Sequence, residues 1–290
     1  MSSSSAPTPR LPKPTRIELG ERATTAIYDS GPPTVDGGKP PVVLLHGWWI
    51  NSYVNFGSAY DEIATDRRVV MIDLRGHGNG ADADHHLYLD TNADDVARIL
   101  DELGIDRATV VGYSLGGAVA QLVAKRFPER VTGLVLAATT ELFCGHLAFR
   151  WQFKGLEVAA AALKATPSPV RKTLFRSIAS VFCARYPGWV RPEVLSGDPV
   201  AMLEAGAALG AFNSGDWVGE LPMPISVIVT TRDRVIPSDS QYRLADDAHA
   251  VTTISIDADH DIPVRNDPRF TGALVQAIRS VEPARIEALR

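Results

Sequence analysis

Ala108-Thr109-Val110-Val111-Gly112-Tyr113-Ser114-Leu115-Gly116-Gly117-Ala118-Val119-Ala120 is the stretch on which the reading turns. Ala108 to Gly112 has the composition of a buried strand, and Leu115 to Phe127 reads as a helix. Between them, Gly112-Tyr113-Ser114-Leu115-Gly116 matches G-x-S-x-G. In that strand–turn–helix context the turn is tight and the serine is held in a strained backbone conformation. The two glycines remove side chains that would clash where strand and helix cross. The serine then stands at a helix N-terminus, where amide N–H groups and the helix dipole favour developing negative charge.

Working outward, the same rhythm recurs. Val42-Val43-Leu44-Leu45 is a continuous apolar run closed by His46-Gly47, as suits a strand buried on both faces. Asn55 to Asp66 has helical spacing. Val69 to Ile72 is another strand, stopped by Asp73-Leu74-Arg75-Gly76. Thr91 to Leu103 is a helix with Val96, Ile99, Leu100 and Leu103 on one face and Gly104 just past its end. Thr15 to Leu19 and Thr24 to Tyr28 read as an opening antiparallel pair. Downstream come strands at Val131 to Ala137, Ile225 to Thr230 and Thr252 to Ile256, and a last helix from Phe270 to Val281. Strands alternating with helices imply an α/β fold around a mostly parallel sheet with helices on both faces.

The rhythm stops between Thr140 and Leu221. That stretch is Ala-rich, helical in spacing, and dense in Phe, Trp and Tyr. Because the strands after it resume the earlier pattern, it reads as a helical cap, residues 140–221, inserted into one core formed by 15–139 and 222–290. Residues 1–14 are Ser/Pro-rich and read as a disordered tail.

The apolar fraction of 45% and charged fraction of 22% are those of a globular protein. A formal charge of −5 argues against nucleic acid as a partner, and no apolar run is long enough to insert stably in a bilayer. The two cysteines, Cys144 and Cys183, match neither a disulfide framework nor a zinc site. With no secretory signal in the N-terminal stretch, the expected location is cytoplasmic. Gly76-His77-Gly78-Asn79-Gly80 lacks the Lys-Ser/Thr pair of a phosphate loop, so neither a nucleotide nor a metal cofactor is expected.

A serine nucleophile needs a base, and in a parallel sheet active sites form at the C-terminal ends of strands. Of seven histidines, His260 follows the last strand and lies at that edge. His249 precedes the same strand and lies at the other edge. His46 and His77 belong to turns with roles of their own, and His85, His86 and His146 fall in loop or cap. The base needs an orienting carboxylate, and Asp233 follows the strand Ile225 to Thr230. Glu141, after the strand Val131 to Ala137, is its rival. Asp257, Asp259 and Asp261 crowd His260 in sequence, where residues rarely point at the ring nitrogen, and read as solvated or loop-structuring. Two backbone amides, those of Leu115 and Trp48, are expected to form an oxyanion hole. Trp49, Tyr113, Phe143, Phe212 and Trp217 are expected to line a substrate pocket.

Taken together, His46-Gly47-Trp48, Asp73-Leu74-Arg75-Gly76-His77-Gly78, Gly112-Tyr113-Ser114-Leu115-Gly116-Gly117, Asp233 with Val235 and Pro237, and His260 resemble the α/β-hydrolase superfamily over nearly the full chain. The resemblance implies an eight-stranded sheet, a cap after the sixth strand, and a cofactor-free mechanism. It is strongest to small esterases, lactonases, acylglycerol lipases and cofactor-free haloperoxidase-like members. The implied activity is that of a carboxylic ester hydrolase (EC 3.1.1 class) acting on a small, largely apolar ester, lactone or acylglycerol through an acyl-enzyme. Serine at the elbow, where haloalkane dehalogenases and epoxide hydrolases carry aspartate, argues against those activities. A C–C bond hydrolase, haloperoxidase or lyase on the same triad stays open as an alternative, as does a ligand-binding receptor without turnover.

Overall fold

The computed structural model describes residues 11–20, 23–33, 38–81, 89–144 and 147–282, and for 147–152 the backbone. Eight strands form one sheet: β1 Thr15–Glu18, β2 Thr24–Asp29, β3 Val42–Leu45, β4 Val69–Ile72, β5 Ala108–Tyr113, β6 Val131–Ala137, β7 Ile225–Thr230 and β8 Thr252–Ile256. Their spatial order is β1-β2-β4-β3-β5-β6-β7-β8. β1 and β2 pair antiparallel and β2 runs antiparallel to β4. Every pairing from β4 onward to β8 is parallel. The C-terminal ends of β5, β7 and β8 therefore share one edge.

Two-residue periodicity sorts the strand side chains to two cores. Val43, Leu45, Val70, Ile72 and Val110 face α3 Leu89–Glu102, α4 Leu115–Arg126 and α9 Ser238–Asp247. Val42, Leu44, Val69, Met71 and Val111 face α1 Ser52–Phe56, α2 Tyr60–Ile63 and α10 Pro268–Ser280. With both faces covered, all four residues of β3 are buried, which explains its unbroken apolar run. β8, at the sheet edge, alternates instead.

Helix ends follow their local chemistry. Past α3, Gly104 takes φ +63°. Its amide donates to the Asp101 carbonyl and that of Ile105 to the Leu100 carbonyl, a glycine-closed C-terminus. The expected single helix from Asn55 to Asp66 is instead the short pair α1 and α2. The first turn starts earlier because Asn51 Oδ1 accepts the Val54 amide, and the break falls after Phe56 at Gly57.

Among the described residues four α-helices lie between β6 and β7: α5 Leu147–Lys164, α6 Ser168–Cys183, α7 Val190–Leu195 and α8 Pro199–Ala211, followed by a 3-10 turn at Val218–Glu220. The ends of this insertion are stitched by a bridge between Leu142 and Asn213 and by the Ser214 amide donating to the Glu141 carbonyl. Residues 1–10 of the expected tail lie outside the described residues, whereas Leu11 packs against the second core. No helix among the described residues is long and apolar enough to cross a membrane.

The crossing of α4 over the sheet has no spare room. A Cβ on Gly116 would lie 2.1 Å from the Leu45 carbonyl oxygen, and one on Gly112 2.3 Å from the Gly116 carbonyl oxygen. Both obstacles are backbone, so neither can swing aside. Gly116→Ala is expected to destabilise by about 1–3 kcal/mol, read as a lowered urea midpoint. A midpoint equal to wild type would show that the crossing is looser than this packing.

Candidate active site

Ser114 stands between the sheet's central strand β5 and α4, as the helix N-cap, with φ 53° and ψ −116°, a region non-glycine residues avoid. The strain is held by bonds on both sides. The Ser114 amide donates to the Ala137 carbonyl at 2.9 Å. Its carbonyl accepts from the Gly117 amide and from Thr139 Oγ1, each at 2.8 Å. The turn leaves Oγ 3.0 Å from His260 Nε2.

His260 follows β8, and its ring continues the chain of contacts. Nδ1 lies 2.7 Å from Asp233 Oδ2. The Asp233 side chain is fully buried and every lone-pair direction is used. Oδ1 accepts the Val235 and Ile236 amides at 2.8 Å, and Oδ2 also accepts Thr230 Oγ1 at 2.7 Å and Gln241 Nε2 at 3.1 Å. Burial pushes this carboxyl up, but the bond and charge of His260, with those donors, outweigh it and hold it below the ordinary carboxylate range. Asp233 is thus an anion aimed at Nδ1, which assigns that nitrogen the proton and leaves Nε2 as acceptor for the serine hydroxyl.

The loop carrying His260 is fixed from below. Tyr113 Oη donates to the His260 carbonyl at 2.6 Å, and Asp259 Oδ1 accepts the His260 amide at 2.8 Å and the Arg234 amide at 3.1 Å. Asp257 and Asp261 pair with Arg232 and Arg265. Asp257 and Asp259 thus tie the loop after β8 to the loop after β7, and Asp261 binds within its own loop. Tyr113, expected to line a pocket, is corrected: it is buried in the core beneath His260, edge-on to Phe270. As the last residue of β5 it points to the sheet face opposite the nucleophile's helix.

Glu141 is buried with its carboxylate bonded to Thr140 Oγ1, and burial raises it above its ordinary value. It faces Asp247 and Arg243 of α9, while His260 takes Asp233. His249 packs by Gly219, away from Ser114. His85, His86 and His146 lie outside the described residues. Gln241 and Thr230, which brace Asp233, are functional neighbours that no motif announces; a lone buried glutamine on α9 is their only trace in the sequence.

The loop after β3 passes close to the Ser114 side chain. A Cβ on Gly47 would lie 3.5 Å from Ser114 Cβ. Among the described residues the backbone amides of Trp48 and Leu115 donate to no protein acceptor. The loop is pinned at several points. Gly47 N donates to Asn55 Oδ1 at 2.8 Å, Trp48 Nε1 to the Met202 carbonyl at 2.5 Å, and Asn51 Nδ2 to Glu193 Oε2 at 2.7 Å. Trp49 takes φ 70°, and its ring packs against Trp48 and against Phe175 and Phe182 of α6. Phe143, Phe212 and Trp217 do not join it. Phe143 and Phe212 are core, and Phe212 and Trp217 line a separate cleft of about 810 Å³ between α4, α5 and α8 that includes no triad residue. They lie at and beyond the end of α8, whose interior Gly206 is the part that meets Trp48.

Among the described residues no group of three or more His, Cys, Asp or Glu side chains is placed to hold a metal ion. Residues 40–265 match a family model described as the alpha/beta hydrolase fold. The chain is 30% identical over 212 residues to a pimeloyl-[acyl-carrier protein] methyl ester esterase of Nitrosomonas europaea, covering 70% of this chain and 81% of that one. It is 34% identical over 126 residues to a putative 2-succinyl-6-hydroxy-2,4-cyclohexadiene-1-carboxylate synthase of Bacillus subtilis, 43% of this chain and 44% of that one. Its fold superposes on a thermophilic esterase from Thermogutta terrifontis with a TM-score of 0.74 at 22% identity, covering 93% and 99% of the two chains.

His46 locks the loop after β3 to the segment that follows β4. Its Nε2 accepts the Leu74 amide at 2.9 Å and its Nδ1 donates to the Gly47 carbonyl at 2.8 Å. Both ring nitrogens are used, so the neutral tautomer is required. Burial pushes His46 down to about 4, and burial together with His46 pushes the neighbouring His77 down to about 3. An unfolded imidazole, at ~6.5, takes up protons that these two refuse. Their contribution to stability should be whole above that value and decline as pH falls from ~6.5 toward 4. Urea midpoints across this range should drop, and less steeply for His77→Gln. A wild-type midpoint that stays flat would mean both rings can charge in place.

Proposed function

The chain belongs to the α/β-hydrolase fold family, and on that premise we propose that it is an ester hydrolase in which Ser114 is the nucleophile, His260 the general base and Asp233 its orienting acid. The observation that carries the proposal is the continuous relay from Oγ through the imidazole to a buried carboxylate, at 3.0 and 2.7 Å. As Ser114 Oγ attacks the ester carbonyl carbon, its proton passes to His260 Nε2. The imidazolium is stabilised by Asp233, which remains ionised. The carbonyl oxygen becomes an oxyanion facing the Leu115 and Trp48 amides, which have no other acceptor to give up. Collapse of the tetrahedral species breaks the ester C–O bond, and the proton on Nε2 leaves with the alcohol. Water then attacks the acyl-serine, giving its proton to Nε2, and release of the acid returns the proton to Oγ.

The substrate class is read from the aromatic residues on and beside the loop that begins at Gly47, next to Ser114. Trp48 and Trp49, with Phe175 and Phe182 of α6, offer apolar surface and few hydrogen-bonding groups. That supports a small carboxylic ester, lactone or acylglycerol with an apolar acyl or alcohol part. The insertion between β6 and β7 acts as a cap over this edge, setting which substrate enters without supplying a triad member. Of the aromatic residues expected to shape the pocket, Trp49 is the one to change. Trp49→Ala should shift the preferred p-nitrophenyl ester chain length or raise KM with Tm retained. An unchanged chain-length profile in a folded Trp49→Ala protein would remove the ring from the pocket.

The acid assignment has a sharper test. Asp233→Asn should lower kcat by on the order of 10⁴, because the wrong tautomer is then favoured. Glu141→Gln should leave kcat near wild type. The reverse pattern, measured with p-nitrophenyl butyrate on proteins of equal Tm, would move the acid to the end of β6.

A further inference from the structure

The side chain of Trp48 is keyed into a helix of the insertion. Its indole Nε1 donates to the Met202 carbonyl at 2.5 Å, and the far edge of its ring fills a notch at Gly206, in the interior of α8. A Cβ on Gly206 would lie 2.5 Å from Trp48 Cζ2 and 3.0 Å from Cη2. Leu156 Cδ1 is 2.7 Å from the same point, but it ends a flexible side chain, whereas the indole is rigid. Met202 and Gly206 are four residues apart, so acceptor and notch share one face of the helix. Inside a helix the Met202 carbonyl already takes the Gly206 amide, and the indole uses its second lone pair. Glycine gives up helix propensity relative to alanine. The φ of Gly206 is negative, so the backbone does not require it; the ring does.

α8 is a firm support for that ring. Ala201, Ala205 and Leu209 are buried in the same core as α3 and α4. Asp198 caps its first turn, and the Asp198 amide donates to the Gly76 carbonyl at 2.9 Å. On the loop side, the Gly47 carbonyl accepts from His46 Nδ1 at 2.8 Å. The C=O and N–H of a trans peptide point in opposite directions, so this bond sets which way the Trp48 amide faces. Trp49, next in the chain, holds φ 70°, a conformation that persists only where neighbours over-determine it. The Trp48 amide itself has no protein acceptor among the described residues. No bond of its own fixes it; its neighbours in the chain and its ring do.

We infer that α8 positions the oxyanion hole. The Gly206 notch and the Met202 carbonyl hold the Trp48 ring, and through it they hold the Trp48 amide toward the oxygen of the tetrahedral intermediate. Both are positioning residues and touch no reacting atom. The inference rests on the reading of Ser114 as nucleophile and the Trp48 amide as oxyanion donor. A helix of the insertion then serves the transition state as well as substrate entry.

The test measures hydrolysis of p-nitrophenyl butyrate and inhibition by an alkyl trifluoromethyl ketone on the full chain. Ser114 Oγ adds to the ketone carbon, its proton passes to His260, and the carbonyl oxygen becomes an oxyanion that mimics the intermediate. Gly206→Ala should lower kcat by about ten- to a hundredfold with KM within about threefold, and raise the ketone Ki by a similar factor. Trp48→Phe lacks the outer ring edge and the indole N–H but keeps the amide and creates no overlap; it should do the same. Gly206→Ala added to Trp48→Phe should lower kcat little further, because both changes act on one contact. Gly210→Ala controls for disturbed packing: it lies on the same helix, and its Cβ would fall 2.5 Å from Phe153 Cβ rather than against Trp48. It should keep the wild-type ketone Ki whatever its Tm. A wild-type Ki in folded Gly206→Ala or Trp48→Phe, additive losses in the double variant, or an equal loss in Gly210→Ala overturns this inference alone, provided Ser114→Ala has lost ketone binding. A Ser114→Ala protein that binds the ketone as wild type does overturns the nucleophile reading and this inference with it.

Discussion

The contact between the first turn of α4 and the end of β3 sets the rest. With hydrogen alone at Gly116, the helix N-terminus comes against the Leu45 carbonyl, and Gly112 admits the helix across its own strand. That closeness forces Ser114 into a positive-φ conformation and brings the loop beginning at His46 over its side chain. Any bulkier residue would push α4 off the sheet, relax the serine, and separate the Leu115 and Trp48 amides. The strain at one residue is stabilised by the two cores that clamp the crossing from above and below.

A second constraint works from the other end of the sheet. His260 must hold a ring in one plane between a serine and an aspartate that come from β5 and β7. Neither its own side chain nor the loop's sequence fixes that. Tyr113, one residue before Ser114, supplies the anchor by bonding the His260 carbonyl, so strand β5 positions both Ser114 and the loop that carries His260. Gln241 does the same for the aspartate, tying Asp233, Thr230 and the Ile236 carbonyl together. The loop between α7 and α8 joins in: Asp198 caps α8 while its amide donates to the Gly76 carbonyl at 2.9 Å. Insertion and core are thus linked beside the same loops that carry Trp48 and Asn51.

Much of this was legible in the residues. Strands β6 and β7 lie where their apolar runs do, because both faces of each must be buried. The meeting of Ser114, His260 and Asp233 was legible because a parallel sheet delivers strand C-termini to one edge, and only certain residue types there can relay a proton. What pattern could not reveal was direction. Tyr113 lies in a strand apolar on both faces, so alternation does not say that it turns away from the nucleophile. In the insertion the aromatic residues are spread over α5, α6 and the segments between helices, and periodicity does not say which of them meets the sheet. Phe212 and Trp217 accordingly belong to a different cleft from Trp49. The early start of α1 hinged on the cap at Asn51, a single side-chain bond that helical spacing does not register.

The account rests on Ser114 being an activated nucleophile, and covalent labelling addresses that directly. Protein treated with a fluorophosphonate at one equivalent should gain a single adduct by intact mass, and peptide mapping should locate it on Ser114. The Ser114→Ala protein, folded to the same Tm, should gain none. A single adduct that persists in Ser114→Ala, or that maps to another residue in wild type, would contradict the account.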